Sequence, residues 1–260
     1  MREDLIIDVG LNDGRDTAYY LHRGYKVVAI DANQRWIEEA RRRFPSELES
    51  GRLILLNIGI AFERGRARLY YSDAAPGVAS LNESHVASHR GITDSFDVDC
   101  IPFADVLREH GVPHYLKIDI ETLDRACLVA LDAADAPAYV SWEEGDDALE
   151  NLAHLHSIGY NSFKLINQVT FRELSHEHSL WNRARYRLNR ALGRPDRPCR
   201  TRDGWEFRAG CAGPFGSDTD GRWRTYEGIV VQWRDFCRRY PRSSRGGGWH
   251  DFHARRQGGR

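Results

Sequence analysis

The feature that most constrains this fold is a short apolar run that leads directly into a glycine turn near the start of the chain. Residues 5–9 form the run, which is apolar except for Asp8, and the turn Gly10-Leu11-Asn12-Asp13-Gly14 follows it. Helical spacing over 16–23 and a second apolar run over 26–30 come next. A strand, a turn, a helix and a strand in this order form a parallel pair joined by a right-handed crossover. The opening of the chain therefore predicts an α/β fold with a ligand crevice at the carboxyl ends of its strands.

The alternation of apolar runs and helical stretches continues to about residue 171, which favours an open, mostly parallel sheet with helices on both faces. We predict further strands at 52–58, 67–71, 115–121, 138–142 and 161–171, and helices at 34–44, 103–110, 123–131 and 148–157. Strand 67–71 is expected to be an extra one. The other strands give about six core strands, so the sheet is expected to be complete near residue 173.

The composition changes after residue 173. We predict an Arg-rich helical stretch over 181–192, a loop-rich segment over 193–221, a helix over 225–240 and a linker over 241–248. The run Trp249-His250-Asp251-Phe252-His253 is expected to anchor the tail. Tryptophans are frequent here, and they either wall an acceptor pocket or supply the core of a small cap. We therefore divide the chain into a ligand-binding domain, 1–173, and an Arg- and Trp-rich cap and tail, 174–260.

Composition narrows the class of protein further. The 5 cysteines are odd in number and show no Cys-x-x-Cys spacing, so neither a disulfide framework nor a thiolate zinc site is expected. No apolar run is long enough for a membrane span and the first residues do not resemble a signal peptide, which predicts a cytoplasmic protein. Residues 1–171 carry 17 Lys and Arg against 28 Asp and Glu, whereas 172–260 carry 20 against 10. The basic third either serves an anionic partner or faces the acidic part and solvent.

The glycine turn departs from the fingerprint of dinucleotide-binding folds. That fingerprint, Gly-x-Gly-x-x-Gly, needs its second glycine so that the backbone can approach a pyrophosphate, and this chain has Asn12 at that position. An asparagine amide both donates and accepts hydrogen bonds, which suits the ammonium and carboxylate of an amino-acid-like ligand. S-adenosylmethionine carries these groups and no phosphate, so we predict it as the cofactor.

The same ligand assigns roles to other polar residues. Asp31 ends the second strand, where its carboxylate can accept hydrogen bonds from both ribose hydroxyls. Asn57 closes the third strand, where the adenine edge is expected. Asp8 either orders the glycine turn or accepts a hydrogen bond from the ligand's ammonium group. Thr17 either contacts the ligand or caps the first helix.

Several segments together resemble the FkbM family of S-adenosylmethionine-dependent methyltransferases. The resemblance is carried by 7–17, by Ser80-Leu81, by Leu116-Lys117-Ile118-Asp119-Ile120-Glu121 and by Val140-Ser141-Trp142-Glu143. It implies a class I methyltransferase fold with a seven-stranded sheet, S-adenosylmethionine as the methyl donor, and O-methylation of a sugar or secondary-metabolite hydroxyl. Thr122 departs from the family pattern, which has a glycine there. The predicted cofactor-binding residues are Asp8, Gly10, Asn12, Gly14, Thr17, Asp31, Asn57, Ser80, Leu81 and Asp119.

The acids that end the fourth core strand are the candidate catalytic residues. Methyl transfer needs an aligned acceptor, and a base where the acceptor must lose a proton. Lys117, Asp119 and Glu121 alternate onto one side of the strand if it extends that far, which makes Lys117 a charge partner and Asp119 or Glu121 the base. Alternatively, Asp119 orients the loop and Lys117 is buried against it. Glu143 with Asp119 is an alternative as a metal pair, but strand order alone does not define a metal site, so no metal is predicted.

Two other functions stay open from the sequence. An NAD(P)-dependent oxidoreductase would also use a carboxylate after the second strand, although Asn12 counts against it. An RNA methyltransferase or nucleic-acid-binding protein would use the basic last third, where no RNA-binding signature is found. The histidines, including His85, lack ligand spacing and are interpreted as surface or packing residues. The expected partner is a small hydroxylated acceptor rather than nucleic acid or a membrane, and the oligomeric state is left open.

Overall fold

The computed structural model of the protein describes residues 1–75, 77–88, 91–177, 188, 199–201, 203–240 and 249–256. The strands are β1 Arg2–Val9, β2 Lys26–Ile30, β3 Leu53–Leu56, β4 Gly59–Ile60, β5 Gly65–Tyr71, β6 Ala79–Ser80, β7 Asp94–Ile101, β8 Pro113–Ile118, β9 Tyr139–Glu143, β10 Tyr160–Asn167, β11 Cys199–Arg200, β12 Glu206–Phe207 and β13 His250–Arg256. The helices are α1 Arg15–His22, α2 Gln34–Arg43, α3 Pro45–Glu49, α4 Glu83–Ser88, α5 Phe103–His110, α6 Asp124–Leu128, α7 Ala148–Ser157, α8 Leu174–Glu177 and α9 Tyr226–Arg239, with a 3₁₀ turn at Gly216–Asp218.

A seven-stranded sheet forms the centre of the molecule, in the order β10-β13-β9-β8-β1-β2-β3. Strand β1 pairs in parallel with β2 and β8, and the parallel pairing continues to β3 on one side and β9 on the other. Strand β13 is antiparallel to both of its neighbours, β9 and β10. The predicted α/β fold, an open, mostly parallel sheet of seven strands with helices, is therefore confirmed.

The C-terminal strand corrects the expectation that the sheet is complete near residue 173. Strand β13 inserts between β9 and β10, so the last described segment of the chain lies inside the sheet. Phe252 of β13 lies opposite Trp142 of β9, and the two rings stack with their centroids 5.2 Å apart. The run that was expected to anchor the tail therefore supplies a sheet strand, and residue 173 does not separate the sheet from the rest of the chain.

Both faces of the sheet are covered, as a parallel sheet requires. Helices α5, α6, α7 and α9 bury their apolar sides on one face, where Trp233 of α9 packs edge-on against Phe252. Helices α1 and α2 cover the other face together with residues 207–215. There Phe215 stacks on Tyr115 of β8 at 4.2 Å, so an irregular segment of the last third takes a place that a helix would otherwise fill.

A second, four-stranded sheet lies between β3 and α5 in sequence, in the order β4-β7-β5-β6. The extra strand predicted at 67–71 is confirmed as β5, and its long antiparallel partner β7 was not predicted. Alternating charged and apolar residues mark β7, with Val98 and Cys100 facing a small apolar cluster. This sheet forms one wall of the crevice described below.

The last third is only partly described. The predicted helix 225–240 is confirmed as α9, which begins after a Thr225 cap whose hydroxyl accepts a hydrogen bond from the Gly228 N–H. The helix predicted at 181–192 and the linker at 241–248 lie outside the described residues, apart from Leu188. In the described ranges, no helix has the length and apolar character that crossing a membrane would need.

Candidate active site

A crevice of about 650 Å³ opens at the carboxyl ends of β1, β2 and β8, between the main sheet and the second sheet. Gly10, Asn12 and Asp31 line it from the main sheet, and Ser80 and Leu81 line it from the opposite wall. Apolar side chains complete the wall beside Asp31, among them Ile30, Trp36, Ile58, Ile60 and Leu69.

The glycine turn is shaped by close contact with the end of β8. Gly10 has φ +86°, and a Cβ at this position would lie 1.8 Å from the carbonyl oxygen of Asp119. A side chain is thus excluded both by the backbone conformation and by space. Gly14, with φ +71°, precedes α1, and Asn12 is also left-handed at φ 49°. The turn therefore presents its backbone directly to the crevice.

Asp31 is held by the backbone of both neighbouring turns. Its Oδ2 accepts a hydrogen bond of 2.8 Å from the Asn12 N–H, and its Oδ1 accepts one of 2.8 Å from the Asn33 N–H. Burial raises the pKa of Asp31 to about 6, and these two N–H donors act in the opposite direction. Each carboxylate oxygen has a further lone pair, so the side chain can still accept hydrogen bonds from a ligand's hydroxyls.

Asp8 and Thr17 lie beneath the turn, both with no exposed surface. The Thr17 hydroxyl donates to Asp8 Oδ2 over 2.6 Å. Thr17 thus fixes Asp8 from the first turn of α1, and both expected roles of Asp8, ordering the turn or accepting a hydrogen bond from a ligand's ammonium group, stay predictions. Asn57 also makes hydrogen bonds within the protein: its amide donates to the carbonyl oxygens of Asp31 and Ala32. It is not among the described residues that line the crevice.

Lys117 is buried beneath the glycine turn and contacts both that turn and the carboxylate of Asp119. Its ammonium donates to the Gly10 carbonyl oxygen over 2.5 Å and lies 3.2 Å from Asp8 Oδ1 and 3.6 Å from Asp119 Oδ2. Burial would lower the pKa of Lys117, but the carboxylates of Asp8 and Asp119 outweigh it and hold that pKa well above its usual value. Lys117 is thus a buried charge partner of Asp119, and only 2% of its side chain is exposed.

Strand β8 ends at Ile118, three residues earlier than predicted, so strand alternation does not place Glu121. Glu121 and Thr122 instead adopt left-handed conformations, with φ 50° and 75°. The Ser80 hydroxyl donates to the Glu121 carbonyl oxygen over 2.9 Å and lies 3.4 Å from the Thr122 hydroxyl. Thr122 thus occupies a conformation that glycine adopts without strain, which explains why a glycine is expected there.

The sequence itself decides the family. Residues 8–163 match the model of the methyltransferase FkbM domain. This chain belongs to the FkbM methyltransferase family. The predicted family is therefore confirmed, and S-adenosylmethionine is confirmed as the methyl donor at the level of the family. No curated protein gives a significant match.

Three solved methyltransferases are similar to this chain at low sequence identity. The FkbM methyltransferase from Methylobacillus flagellatus KT is 17% identical, with 64% of this chain and 41% of that chain covered and a TM-score of 0.43. This chain thus spans less than half of that protein. A methyltransferase from Thiobacillus denitrificans in complex with S-adenosyl-L-homocysteine is 12% identical, with 98% and 86% covered and a TM-score of 0.38. Phosphoethanolamine N-methyltransferase 2 of Haemonchus contortus, in complex with S-adenosyl-L-methionine, is 11% identical, with 98% and 49% covered and a TM-score of 0.36.

Three carboxylates of this FkbM chain meet beside the crevice, at what we call its acidic end; Asp119 and Glu121 are among the described residues that line the crevice, and Glu143 is not. Asp119, Glu121 and Glu143 each offer one oxygen, and these oxygens lie within 4.8 Å of one another. Burial, together with repulsion from Glu121 and Asp119, raises the pKa of Glu143 well above its usual value. Carboxylates this close are common without an ion, so the geometry assigns no metal ligand here, and the absence of a metal stays a prediction.

Sequence reasoning missed three residues that build this acidic end. Asp124 accepts hydrogen bonds from the N–H groups of Ile120 and Glu143, both 3.0 Å long, and so joins the β8 loop to β9. Asp251 of β13 lies opposite Glu143 in the strand register, and burial and the Asp119 charge raise its pKa well above its usual value. His85, interpreted as a surface or packing residue, lies 2.7 Å from Glu121. None of the three belongs to a local motif that could have shown its role.

Proposed function

We propose that the crevice binds S-adenosylmethionine with the Gly10 turn and Asp31, and that the chain transfers the methyl group to a hydroxyl of a small acceptor such as a sugar. Contact between Gly10 and the Asp119 carbonyl is the observation that carries this proposal, because it joins the cofactor end and the acidic end in one crevice. A methyl donor and an acceptor must meet in line within such a space.

The residues of the cofactor end fit this ligand. Asn12 and the backbone of the turn can bind an amino-acid moiety, Asp31 can accept hydrogen bonds from ribose hydroxyls, and Trp36, Ile58 and Ile60 offer an apolar wall for a purine. When bound, S-adenosylmethionine supplies an electrophilic methyl group on a sulfonium sulfur. Lys117 and Asp8 hold the turn from beneath, so the protein needs little rearrangement to receive a ligand.

The acidic end fits a hydroxylated acceptor. Ionised carboxylates are hydrogen-bond acceptors only, and sugar hydroxyls are donors that match them. Asp119 lies 3.6 Å from the Lys117 ammonium, and Glu121 reaches the crevice from the loop after β8. We propose Glu121 or Asp119 as the group that receives the acceptor's proton.

Binding and turnover test the proposal separately. Titration calorimetry should show that S-adenosylhomocysteine binds and NADH does not, and Asp31→Ala should weaken that binding at least tenfold, whereas the exposed control Asp4→Ala should not. Tighter binding of NADH would contradict the proposed cofactor.

Turnover is tested separately. Incubation of the protein with a metabolite extract and S-adenosylmethionine carrying a labelled methyl group should yield a hydroxylated compound of increased mass. A label found only on nitrogen would contradict O-methylation.

A further inference from the structure

His85 and Glu121 form a side-chain pair at the acidic end of the crevice. His85 lies on α4, which connects β6 to β7 of the second sheet, and its Nε2 is 2.7 Å from Glu121 Oε2. About one fifth of each side chain is exposed, 21% for His85 and 20% for Glu121. An imidazole N–H that donates to a carboxylate at this distance makes a strong, directional hydrogen bond.

The backbone of Glu121 is fixed from the same segment of the chain. Ser80, five residues before His85, donates its hydroxyl hydrogen to the Glu121 carbonyl oxygen. Ser80 also accepts a hydrogen bond from the Asn82 N–H, and Asn82 in turn accepts one from the His85 N–H. Ser80 and His85 therefore hold Glu121 at two points, its carbonyl and its carboxylate. Two anchors on one left-handed residue determine where its side chain points.

We propose that His85 is a positioning residue for methyl transfer, which sets the Glu121 carboxylate toward the acceptor hydroxyl. This inference rests on the proposed O-methyl transfer. It adds a role for a histidine that no local motif marks and makes Glu121, rather than Asp119, the proton acceptor.

Electrostatics explain why Glu121 needs a donor. Its carboxylate lies within 4.8 Å of oxygens of Asp119 and Glu143, and the charge on Asp119 repels a second carboxylate charge at such a distance. Asp119 has the Lys117 ammonium at 3.6 Å, and Glu143 lies on a strand. Glu121 lies on a loop, where repulsion would turn its side chain away. The His85 N–H holds it in the crevice.

The chemical step then balances without a further reagent. The acceptor oxygen forms a bond to the methyl carbon while the methyl–sulfur bond breaks, and the electron pair of that bond stays on sulfur. The acceptor's O–H bond breaks and its proton passes to the Glu121 carboxylate. His85 keeps its own proton throughout and only orients the group that receives one. Its loss should therefore lower kcat without changing cofactor affinity.

Kinetics with defined acceptors test this role. The assay measures transfer of a labelled methyl group to a panel of monosaccharides and phenols. We expect His85→Ala to lower kcat about 10- to 100-fold, since misplacing a reacting group by about 1 Å has effects of this size. His85→Gln, whose amide can donate from nearly the same place as Nε2, should recover most of the loss. The matched control is Glu83→Gln, at an exposed position on the same helix, which should stay within about twofold of wild type.

A double-variant cycle and a spectroscopic measurement separate positioning from stability. Glu121→Gln should lower kcat about 100-fold or more, and adding His85→Ala to it should cause little further loss. In protein labelled with ¹⁵N-histidine, Glu121→Gln should shift the ring signals of His85 alone among the 11 histidines. Affinity for S-adenosylhomocysteine should be unchanged in all of these variants.

Several outcomes would overturn the inference. His85→Ala with wild-type kcat, fully additive losses in the cycle, or unshifted His85 signals in Glu121→Gln would each remove the positioning role while leaving O-methyl transfer intact. Transfer that depends on added Mg²⁺ and is abolished by EDTA would show instead that the carboxylates hold a cation. Wild-type protein that binds S-adenosylhomocysteine but methylates no hydroxyl in the panel would overturn the proposed function, and this inference with it.

Discussion

The two ends of the crevice are built in different ways. The cofactor end comes from residues 8–31, and its shape depends on backbone: a glycine that touches a carbonyl, and N–H groups that fix Asp31. The acidic end is assembled from side chains of segments far apart in the chain, 80–85, 119–124, 143 and 251. One end therefore depends on local conformation, and the other on the packing of distant elements.

Lys117 contacts residues of both ends of the crevice. It donates to the turn at Gly10 and neutralises Asp8, both of the cofactor end, and it also lies beside Asp119 of the acidic end. A buried ammonium with two carboxylates ties the ends into one rigid unit. Substitutions at the cofactor end should therefore act through backbone fit, and those at the acidic end through charge and strain.

The largest effect is expected at Gly10. Gly10→Ala adds a Cβ that meets the Asp119 carbonyl oxygen, so we expect loss of S-adenosylhomocysteine binding and a fall of several kcal/mol in the free energy of unfolding. Gly24→Ala is the matched control, because Gly24 has nearly the same φ, +88°, with nothing within 4 Å of the added Cβ. It should lose only about 1–2 kcal/mol. Urea unfolding measures both, and equal losses would contradict a close contact at Gly10.

Removal of the Lys117 charge should have the next largest effect. Lys117→Met leaves Asp8 buried without its cation, which is expected to lower the free energy of unfolding by about 3–5 kcal/mol. Lys26→Met is the control, since Lys26 pairs with Asp4 at the surface and should lose less than about 1 kcal/mol. Adding Asp8→Asn to Lys117→Met should restore part of the loss. A Lys117→Met protein as stable as Lys26→Met would show that the two ends are not tied through this ammonium.

Asp31 should give the cofactor end a pH dependence. Its pKa of about 6 lies above the usual 3.8, so the folded protein holds this proton more tightly than the unfolded chain, and the ionised form dominates only above pH 6. Because hydroxyl donors prefer the ionised form, affinity for S-adenosylhomocysteine should fall about tenfold between pH 7 and pH 5. Asp31→Asn should bind more weakly at pH 7 and lose this component. Calorimetry across that range measures it, and an equally steep profile in Asp31→Asn would assign the titration to another group.

The smallest effect is expected at Thr122, where the acidic end contains a strained residue. Thr122→Gly removes a β-branched side chain from a left-handed conformation, which favours the folded state. Glycine also has greater freedom in the unfolded chain, which opposes this gain, so we expect the free energy of unfolding to rise by up to about 1 kcal/mol. Thermal and urea unfolding measure this change. A clear loss of stability would mean that the contact between Thr122 and Ser80 outweighs the strain.

The sequence predicted the parts of the fold that rest on local signals. Strand β2 and helices α5 and α7 have the predicted bounds, because apolar periodicity and helix-ending glycines mark them. Strand β13 was missed as a strand because His250, Asp251 and His253 break its apolar pattern. These polar side chains are buried only because β9 and β10 flank them.

In the site, too, local sequence signals predicted some residues, whereas others depend on contacts between distant segments. Gly10, Asn12, Asp31, Ser80, Leu81 and Asp119 were predicted and line the crevice, whereas Asp8, Thr17 and Lys117 support it from beneath. Glu121 was predicted by strand alternation, but it reaches the crevice through a left-handed turn that alternation does not describe. His85 and Asp251 act through partners 36 residues or more away, where no spacing rule applies.

Three features can be read from the sequence alone. The family follows from motifs distributed over 8–163, the parallel start of the sheet from the strand, helix and strand of residues 2–30, and the cofactor turn from a glycine whose conformation other residues avoid. Tertiary structure decided where the final strand inserts and which carboxylates meet at the acceptor end. The reason is physical: those contacts join segments that attract one another only after the sheet has brought them together, and the order of its strands is a property of the whole chain.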